Sequence, residues 1–118
     1  MRVDLISTGD EVLFGEIVDT NKAHAAALLS DHGFGVRRHW TCGDGLAELT
    51  SVLQQALAQA DAVICCGGLG PTPDDRTTEA AAQALGVDLR TDPDVLADLR
   101  AKFASLGLPF TANQERQA

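Results

Sequence analysis

Positive charge is scarce in this sequence. Nine lysines and arginines stand against 17 aspartates and glutamates, so the formal net charge is −8 at pH 7. An acidic surface repels phosphate backbones and anionic headgroups, which argues against nucleic-acid and membrane-surface partners. An acidic substrate would therefore need a metal ion or a local basic patch.

Cysteines and long apolar runs are also few. The three cysteines are an odd number, Cys65 and Cys66 are adjacent, and no Cys-x-x-Cys spacing occurs. The sequence therefore predicts neither a disulfide framework nor a zinc site. No apolar stretch is long enough to span a membrane, and Asp4 interrupts the first one, which argues against a signal peptide. We expect a cytoplasmic protein in a reducing compartment.

The remaining composition is that of a globular domain. Hydrophobic residues make up 45% of the 118 residues, enough for one real core. Apolar patterning predicts strands at 2–8, 34–41 and 62–66. It predicts helices over 19–32, 46–60, 80–85 and 93–106, with 12–18 as a loop or short ribbon, 87–90 as a short extended segment, and 108–118 as a loop leading into another helix.

Alternating strands and helices predict an α/β fold with a parallel sheet and right-handed crossovers. Parallel strands direct their carboxyl ends to one edge, where ligands bind. Three loops would meet there, each with glycine and acid: Gly9-Asp10-Glu11, Gly43-Asp44 and the stretch from Gly67 to Asp75. We expect these loops to form one rim.

The third loop carries the strongest signal. Gly67, Gly68 and Gly70 have no Cβ, so a ligand can approach the backbone N–H groups. The following helix N-terminus favours an anion such as phosphate, whereas Asp74 and Asp75 repel it unless a divalent cation intervenes. The loop is neither a P-loop, because no Gly-Lys-Ser/Thr follows, nor a dinucleotide fingerprint, because the third glycine is missing. The alternative is a tight turn with Asp75 as helix N-cap.

The motifs resemble those of a known family. They are Ser7-Thr8-Gly9-Asp10-Glu11, Gly15-x-Ile17-x-Asp19-x-Asn21, Gly43-Asp44, and Gly67-Gly68-Leu69-Gly70-Pro71-Thr72-x-Asp74-Asp75-x-Thr77-x-Glu79. Together they resemble the molybdopterin-binding (MoaB/Mog-like) domain superfamily, and within it the N-terminal domain of the CinA (competence/damage-inducible) family. The resemblance extends over nearly the whole chain.

The resemblance implies a three-layer αβα sandwich with a mainly parallel sheet, and a homo-oligomer such as a dimer or trimer. It implies that residues 1–118 are one domain, truncated at its C-terminal end, because such domains run to ~170 residues. For function it implies a metal-dependent nucleotide pyrophosphatase that hydrolyses ADP-ribose with Mg²⁺, Mn²⁺ or Co²⁺. The alternative is a molybdopterin-binding domain of cofactor biosynthesis, with or without adenylyl transfer.

The resemblance also suggests roles for single residues toward a nucleotide or pterin phosphate. Asp44 and Asp75 are the predicted catalytic acids. The predicted metal ligands are Asp10, Glu11, Asp44, Asp74 and Asp75. The predicted phosphate and substrate contacts are Asn21, Gly67, Gly68, Gly70, Thr72 and Thr77.

Each assignment has a structural alternative. Asp10 and Asp44 suit Asx turns, Glu79 suits the helix dipole, and Asn21 suits a helix cap. Arg37 and Arg38 are expected on an exposed strand face rather than at a phosphate. Trp40 is expected in the core or an oligomer contact.

Overall fold

The computed structural model describes residues 1–118 and contains one three-stranded sheet. Its strands are β1 (Arg2–Thr8), β2 (Gly35–Cys42) and β3 (Ala62–Cys66). They are all parallel, in the order β2-β1-β3, so β1 is central and β2 lies at an edge, as predicted. Opposite Ile6 of β1 lie Trp40 and Cys65.

Six helices surround the sheet. They are α1 (Asp10–Leu13), α2 (Thr20–Asp31), α3 (Leu46–Leu57), α4 (Thr77–Leu85), α5 (Pro93–Ser105) and α6 (Ala112–Glu115). Aspartates cap the starts of two helices: the Asp19 carboxylate accepts from the backbone of Lys22, and the Asp92 carboxylate accepts from the backbone of Asp94. None of these helices is both long and apolar enough to cross a bilayer.

The two faces of β1 pack against different helices. Ile6 belongs to the main core with Cys42 of β2, Leu49, Leu53 and Ala56 of α3, and Ala80 of α4. Side chains alternate along a strand, so Ser7 points to the opposite face, beside Asp19 at the start of α2. This arrangement confirms the predicted αβα layers.

Local predictions need adjustment at three places. The loop predicted at 12–18 starts inside a helix: the Gly9 carbonyl accepts from the N–H groups of Val12 and Leu13, which closes the single turn of α1, and residues 14–18 follow it without a helix or strand. Residues 87–90 do not pair with the sheet. The N-cap of α4 is Arg76 rather than Asp75.

A buried ion pair lies on the core side of β1. Asp4 is completely buried, and its carboxylate accepts from Arg37 Nε at 2.8 Å, from Arg37 Nη2, and from Trp40 Nε1 at 2.7 Å. Arg37 also donates to Gln59 Oε1 at 2.8 Å. Arg37 therefore has a structural partner, instead of the exposed position that the sequence suggested.

The last third of the chain packs mainly on itself. The apolar side of α5 includes Phe103, whose ring meets Phe110 edge-to-face at 5.5 Å. No residue of α5 or α6 is fully buried. The segment after α6 turns back to the loop that follows β3, because Arg116 and Gln117 donate to the carbonyls of Thr72 and Leu69.

Candidate functional site

Thr8, the last residue of β1, joins the three predicted rim loops. Its hydroxyl donates to the Gly43 carbonyl at 3.0 Å. A Cβ on Gly67 would lie 2.3 Å from the Thr8 carbonyl oxygen, so the third loop presses against the same residue. The loops that follow β1, β2 and β3 therefore meet at one rim, as the sequence predicted.

Asp10 and Asp44 form a reciprocal pair at this rim. The Asp44 N–H donates to Asp10 Oδ1 at 3.1 Å, and the Asp10 N–H lies 3.4 Å from Asp44 Oδ2. A Cβ on Gly43 would lie only 2.5 Å from Asp10 Oδ1, so the glycine makes room for this carboxylate. Each carboxylate thereby contacts the backbone N–H of the other residue, which links the first and second rim loops.

Thr77 fixes the glycine loop. It is 5% exposed, and its hydroxyl donates to the Gly67 carbonyl at 2.7 Å. Its N–H donates to the Gly68 carbonyl at 3.1 Å. The N–H groups of Gly68 and Leu69 have no hydrogen-bond acceptor within the protein, which leaves them available to an anion.

Asp75 lies on the outer side of the same loop. Its Oδ2 accepts from the Thr72 N–H at 2.9 Å and from the Thr72 hydroxyl at 2.5 Å. The Thr72 hydroxyl, followed by the backbone of Gly70 and Thr72, holds the pKa of Asp75 below its usual value. The carboxylate is thus anionic at neutral pH. Asp74 is exposed and makes no hydrogen bond through its side chain.

A small pocket beside the rim combines predicted site residues with Ser7 and Asp19, two motif residues to which the sequence gave no role. Its volume is about 130 Å³, and its walls include Glu11, Asn21 and Gly67 together with Ser7 and Asp19. The Ser7 hydroxyl is buried without a normal hydrogen bond. Burial raises the pKa of Asp19, but Ser7 and Lys22 outweigh that effect and hold it below its usual value. The pairing of Ser7 with Asp19 depends on tertiary contact and has no spacing signal.

A larger cleft of about 770 Å³ lies on the other side of the glycine loop. Gly68, Gly70 and Asp75 line one wall. Arg90 and Arg116 line the cleft as well, and neither was marked by the sequence pattern. The cleft size is typical of small-molecule sites.

The acids fit an open metal site rather than a closed one. No three His, Cys, Asp or Glu side chains are close enough together to hold an ion by themselves. Mg²⁺ is commonly held by one or two carboxylates, with substrate phosphates and water as further ligands. The Asp10–Asp44 pair suits that arrangement. The metal roles predicted for Asp10, Glu11, Asp44, Asp74 and Asp75 all stay predictions.

Replacing Gly67 by alanine should distort the rim. The Gly67 φ of 105° disfavours a side chain, and the new Cβ would clash with the Thr8 backbone. We expect a loss of roughly 2–4 kcal/mol in the free energy of unfolding, measured in urea. Gly33→Ala is the control: its φ is 76° but a Cβ there meets nothing, so it should lose only about 1 kcal/mol. Equal losses would show that the Thr8 contact is unimportant.

Comparison with known sequences places the chain in a family. A family model described as "Probable molybdopterin binding domain" matches residues 4–117. A CinA-like protein of Chlorobium luteolum is 41% identical over 118 residues, which is all of this chain and 27% of that protein. A CinA-like protein of Citrifermentans bemidjiense is 50% identical over 104 residues, 88% of this chain and 25% of that protein. The chain spans about a quarter of the length of these curated relatives.

Solved structures agree with this placement. The protein CinA of Thermoplasma acidophilum, described as having unknown function, is 37% identical with a TM-score of 0.90, covering 98% of this chain and 68% of that one. The molybdopterin biosynthesis enzyme MoaB of Thermus thermophilus is 25% identical with a TM-score of 0.66, covering 85% of this chain and 62% of that one. The fold is thus shared with MoaB. The chain belongs to the molybdopterin-binding domain family and, within it, to the CinA-like proteins.

Proposed function

We propose that this domain is a metal-dependent nucleotide pyrophosphatase that hydrolyses the diphosphate of ADP-ribose. The observation that carries the proposal is the Asp10–Asp44 pair, set beside a glycine loop with free N–H donors. The rim combines acidic side chains, which repel a diphosphate, with N–H donors, which bind it. A diphosphate would therefore bind there together with a divalent cation that offsets the acidic charge. The pair of carboxylates can hold such a cation.

The residues would act as follows. Asp10 and Asp44 would hold the cation, which when bound would supply positive charge against the phosphate oxygens and make phosphorus more electrophilic. The N–H groups of Gly68 and Leu69 donate to phosphate oxygens and stabilise the charge that develops on them. Thr77 keeps this loop in place. Asp75 orders the outer part of the loop through Thr72, and its Oδ1 is available to orient the attacking water.

The reaction can be tested directly. The 118-residue chain is incubated with ADP-ribose and Mg²⁺, Mn²⁺ or Co²⁺, and the products are separated by chromatography. We expect one water molecule to be consumed for each AMP and ribose 5-phosphate formed, and no product when EDTA removes the metal. Absence of AMP with all three metals would contradict the proposal.

A second candidate is a pterin-binding module, since the matching family model is described by molybdopterin binding. Tight binding of molybdopterin without turnover of ADP-ribose would favour it. The cytoplasmic location and the homo-oligomer stay predictions. The oligomer is supported by exposed apolar side chains near α4 and α5: Leu85, Val87, Leu89, Leu106 and Leu108.

A further inference from the structure

The larger cleft has two walls of different chemistry. One wall is the glycine loop and the first turn of α4, including Gly68, Gly70 and Thr78. The other includes residues 89–91 and 116–118. Hydrogen bonds from Gln117 Nε2 to the Leu69 carbonyl, at 3.1 Å, and from Arg116 Nη1 to the Thr72 carbonyl, at 3.4 Å, connect the two walls.

Arginine is concentrated at this cleft. The chain has nine basic residues against 17 acidic ones, and two of the nine, Arg90 and Arg116, line the cleft. Arg90 is exposed and forms no ion pair or side-chain hydrogen bond, and Arg116 makes only its single bond to a carbonyl. Five of the other seven basic side chains pair with acids: Arg2 with Asp61, Lys22 with Asp19, Arg37 with Asp4, Arg76 with Glu79, and Arg100 with Glu115. Arg38 and Lys102 are unpaired but lie outside the cleft.

The acids that face these arginines leave room for an anion. Asp75 and Glu79 are the acidic side chains on the cleft walls. Glu79 is paired with Arg76 at 3.1 Å, and Asp75 Oδ2 is occupied by Thr72. On the donor side, the N–H groups of Gly68, Leu69 and Thr78 lack acceptors. The cleft therefore offers an anion both free backbone donors and the guanidinium groups of Arg90 and Arg116.

We propose that Arg90 and Arg116 are phosphate-binding residues, which clamp a diphosphate against the glycine loop from the opposite wall of the cleft. Arginine suits this task because its planar group donates two parallel hydrogen bonds to phosphate oxygens. The leucines of the cleft, Leu69, Leu89 and Leu99, offer apolar surface to the ring of the same ligand. The inference rests on the proposed function for the diphosphate ligand. The two arginines form the local basic patch that an acidic protein needs to bind such a ligand.

The test measures binding of ADP-ribose and of inorganic pyrophosphate, each with Mg²⁺, by calorimetry. Arg90→Gln and Arg116→Gln should each raise the Kd about tenfold or more, the scale of one charge-assisted hydrogen bond. Arg116→Lys should recover only part of the loss, since lysine keeps the charge without the planar fork. Lys102→Gln is the control for net charge, because Lys102 is exposed and lies outside the cleft; its Kd should not change.

The outcomes separate this inference from the proposed function. If the protein hydrolyses ADP-ribose but both arginine variants bind it as tightly as the unaltered chain, the arginine assignment is overturned and the pyrophosphatase proposal stands. If pyrophosphate binds through the arginines while ADP-ribose is not turned over, the clamp is supported and the pyrophosphatase proposal fails. If neither ligand binds, both are overturned.

Discussion

Asp44→Asn is expected to reduce metal-dependent hydrolysis of ADP-ribose by about 100-fold or more. Removing one of the two paired carboxylates weakens binding of the cation. The cation contributes several kcal/mol to stabilising the transition state, and about 1.4 kcal/mol corresponds to a tenfold change in rate. The asparagine oxygen can still accept from the Asp10 N–H, so the fold should be retained. The measurement is the initial rate at increasing Mg²⁺. The half-saturating metal concentration should rise as the rate falls.

A matched control is Asp98→Asn. Asp98 lies on α5, is exposed and makes no side-chain hydrogen bond, so the same change of charge there should leave the rate unaltered. Thermal unfolding of both variants checks that Asp44→Asn has not lost activity by unfolding. Full metal-dependent hydrolysis in Asp44→Asn and also in Asp75→Asn would show that the acids were assigned wrongly.

Arg37→Ala is expected to lower the free energy of unfolding by about 3–5 kcal/mol at pH 7. The substitution leaves Asp4, which is 0% exposed, as a buried charge without its cation, and such a loss is typical of a broken buried pair. It is a large part of the ~5–15 kcal/mol that stabilises an ordinary domain. Urea unfolding followed by Trp40 fluorescence measures it, since Trp40 is the only tryptophan.

The pH dependence of this variant should have the opposite sign from the unaltered chain. Burial raises the pKa of Asp4, but hydrogen bonds from Arg37 and Trp40 outweigh it and hold the folded-state pKa below its usual value. The stabilisation is therefore present above about pH 4 and is lost as the pH falls toward the folded-state pKa. Without Arg37, burial dominates and raises that pKa, so the variant should lose stability as the pH rises above about 4.

Arg38→Ala is the control for the buried pair. Arg38 is the neighbouring residue of β2, is exposed, and stacks over Trp40 at 4.9 Å. An exposed cation–π contact contributes ~0.5–1 kcal/mol, so the loss should be several times smaller. Arg38 makes the smallest of the contributions that lower the pKa of Asp4, so the pH dependence near 4 should change much less than in Arg37→Ala. Equal losses at the two positions would mean that the Asp4 pairing does not stabilise the fold.

Much of the fold follows from local pattern. Strand β1 and strand β3 lie where the apolar runs predicted them, and Leu49, Leu53 and Ala56 are the buried face of the helix that their spacing indicated. Glycine and acid after each strand were enough to predict the rim. That prediction worked because parallel strands must place their carboxyl ends at one edge.

Pattern alone was misleading where one specific hydrogen-bond partner decides the position of a side chain. Arg37 looks like an exposed strand residue, because nothing within its own strand reveals the buried Asp4 on the neighbouring one. Asp75 looks like a helix cap, but its carboxylate closes a turn onto Thr72 and the helix begins at Thr77. The positions of these two side chains depend on hydrogen bonds, and the local sequence allows other hydrogen bonds of similar free energy.

The sequence by itself determined the layers, which loops follow the strands at the rim, and which of those loops carry acids and glycines. These features depend on hydrophobic periodicity and on the direction of the chain. Only the tertiary structure decided that Asp10 meets Asp44 and that Thr8 contacts both neighbouring loops. It also decided that Arg90 and Arg116 line the same cleft as residues 68–70. The physical reason is that the first two contacts depend on how β1 pairs with β2 and β3, whereas the cleft depends on contacts such as Gln117 on Leu69, which couple residues 48 positions apart.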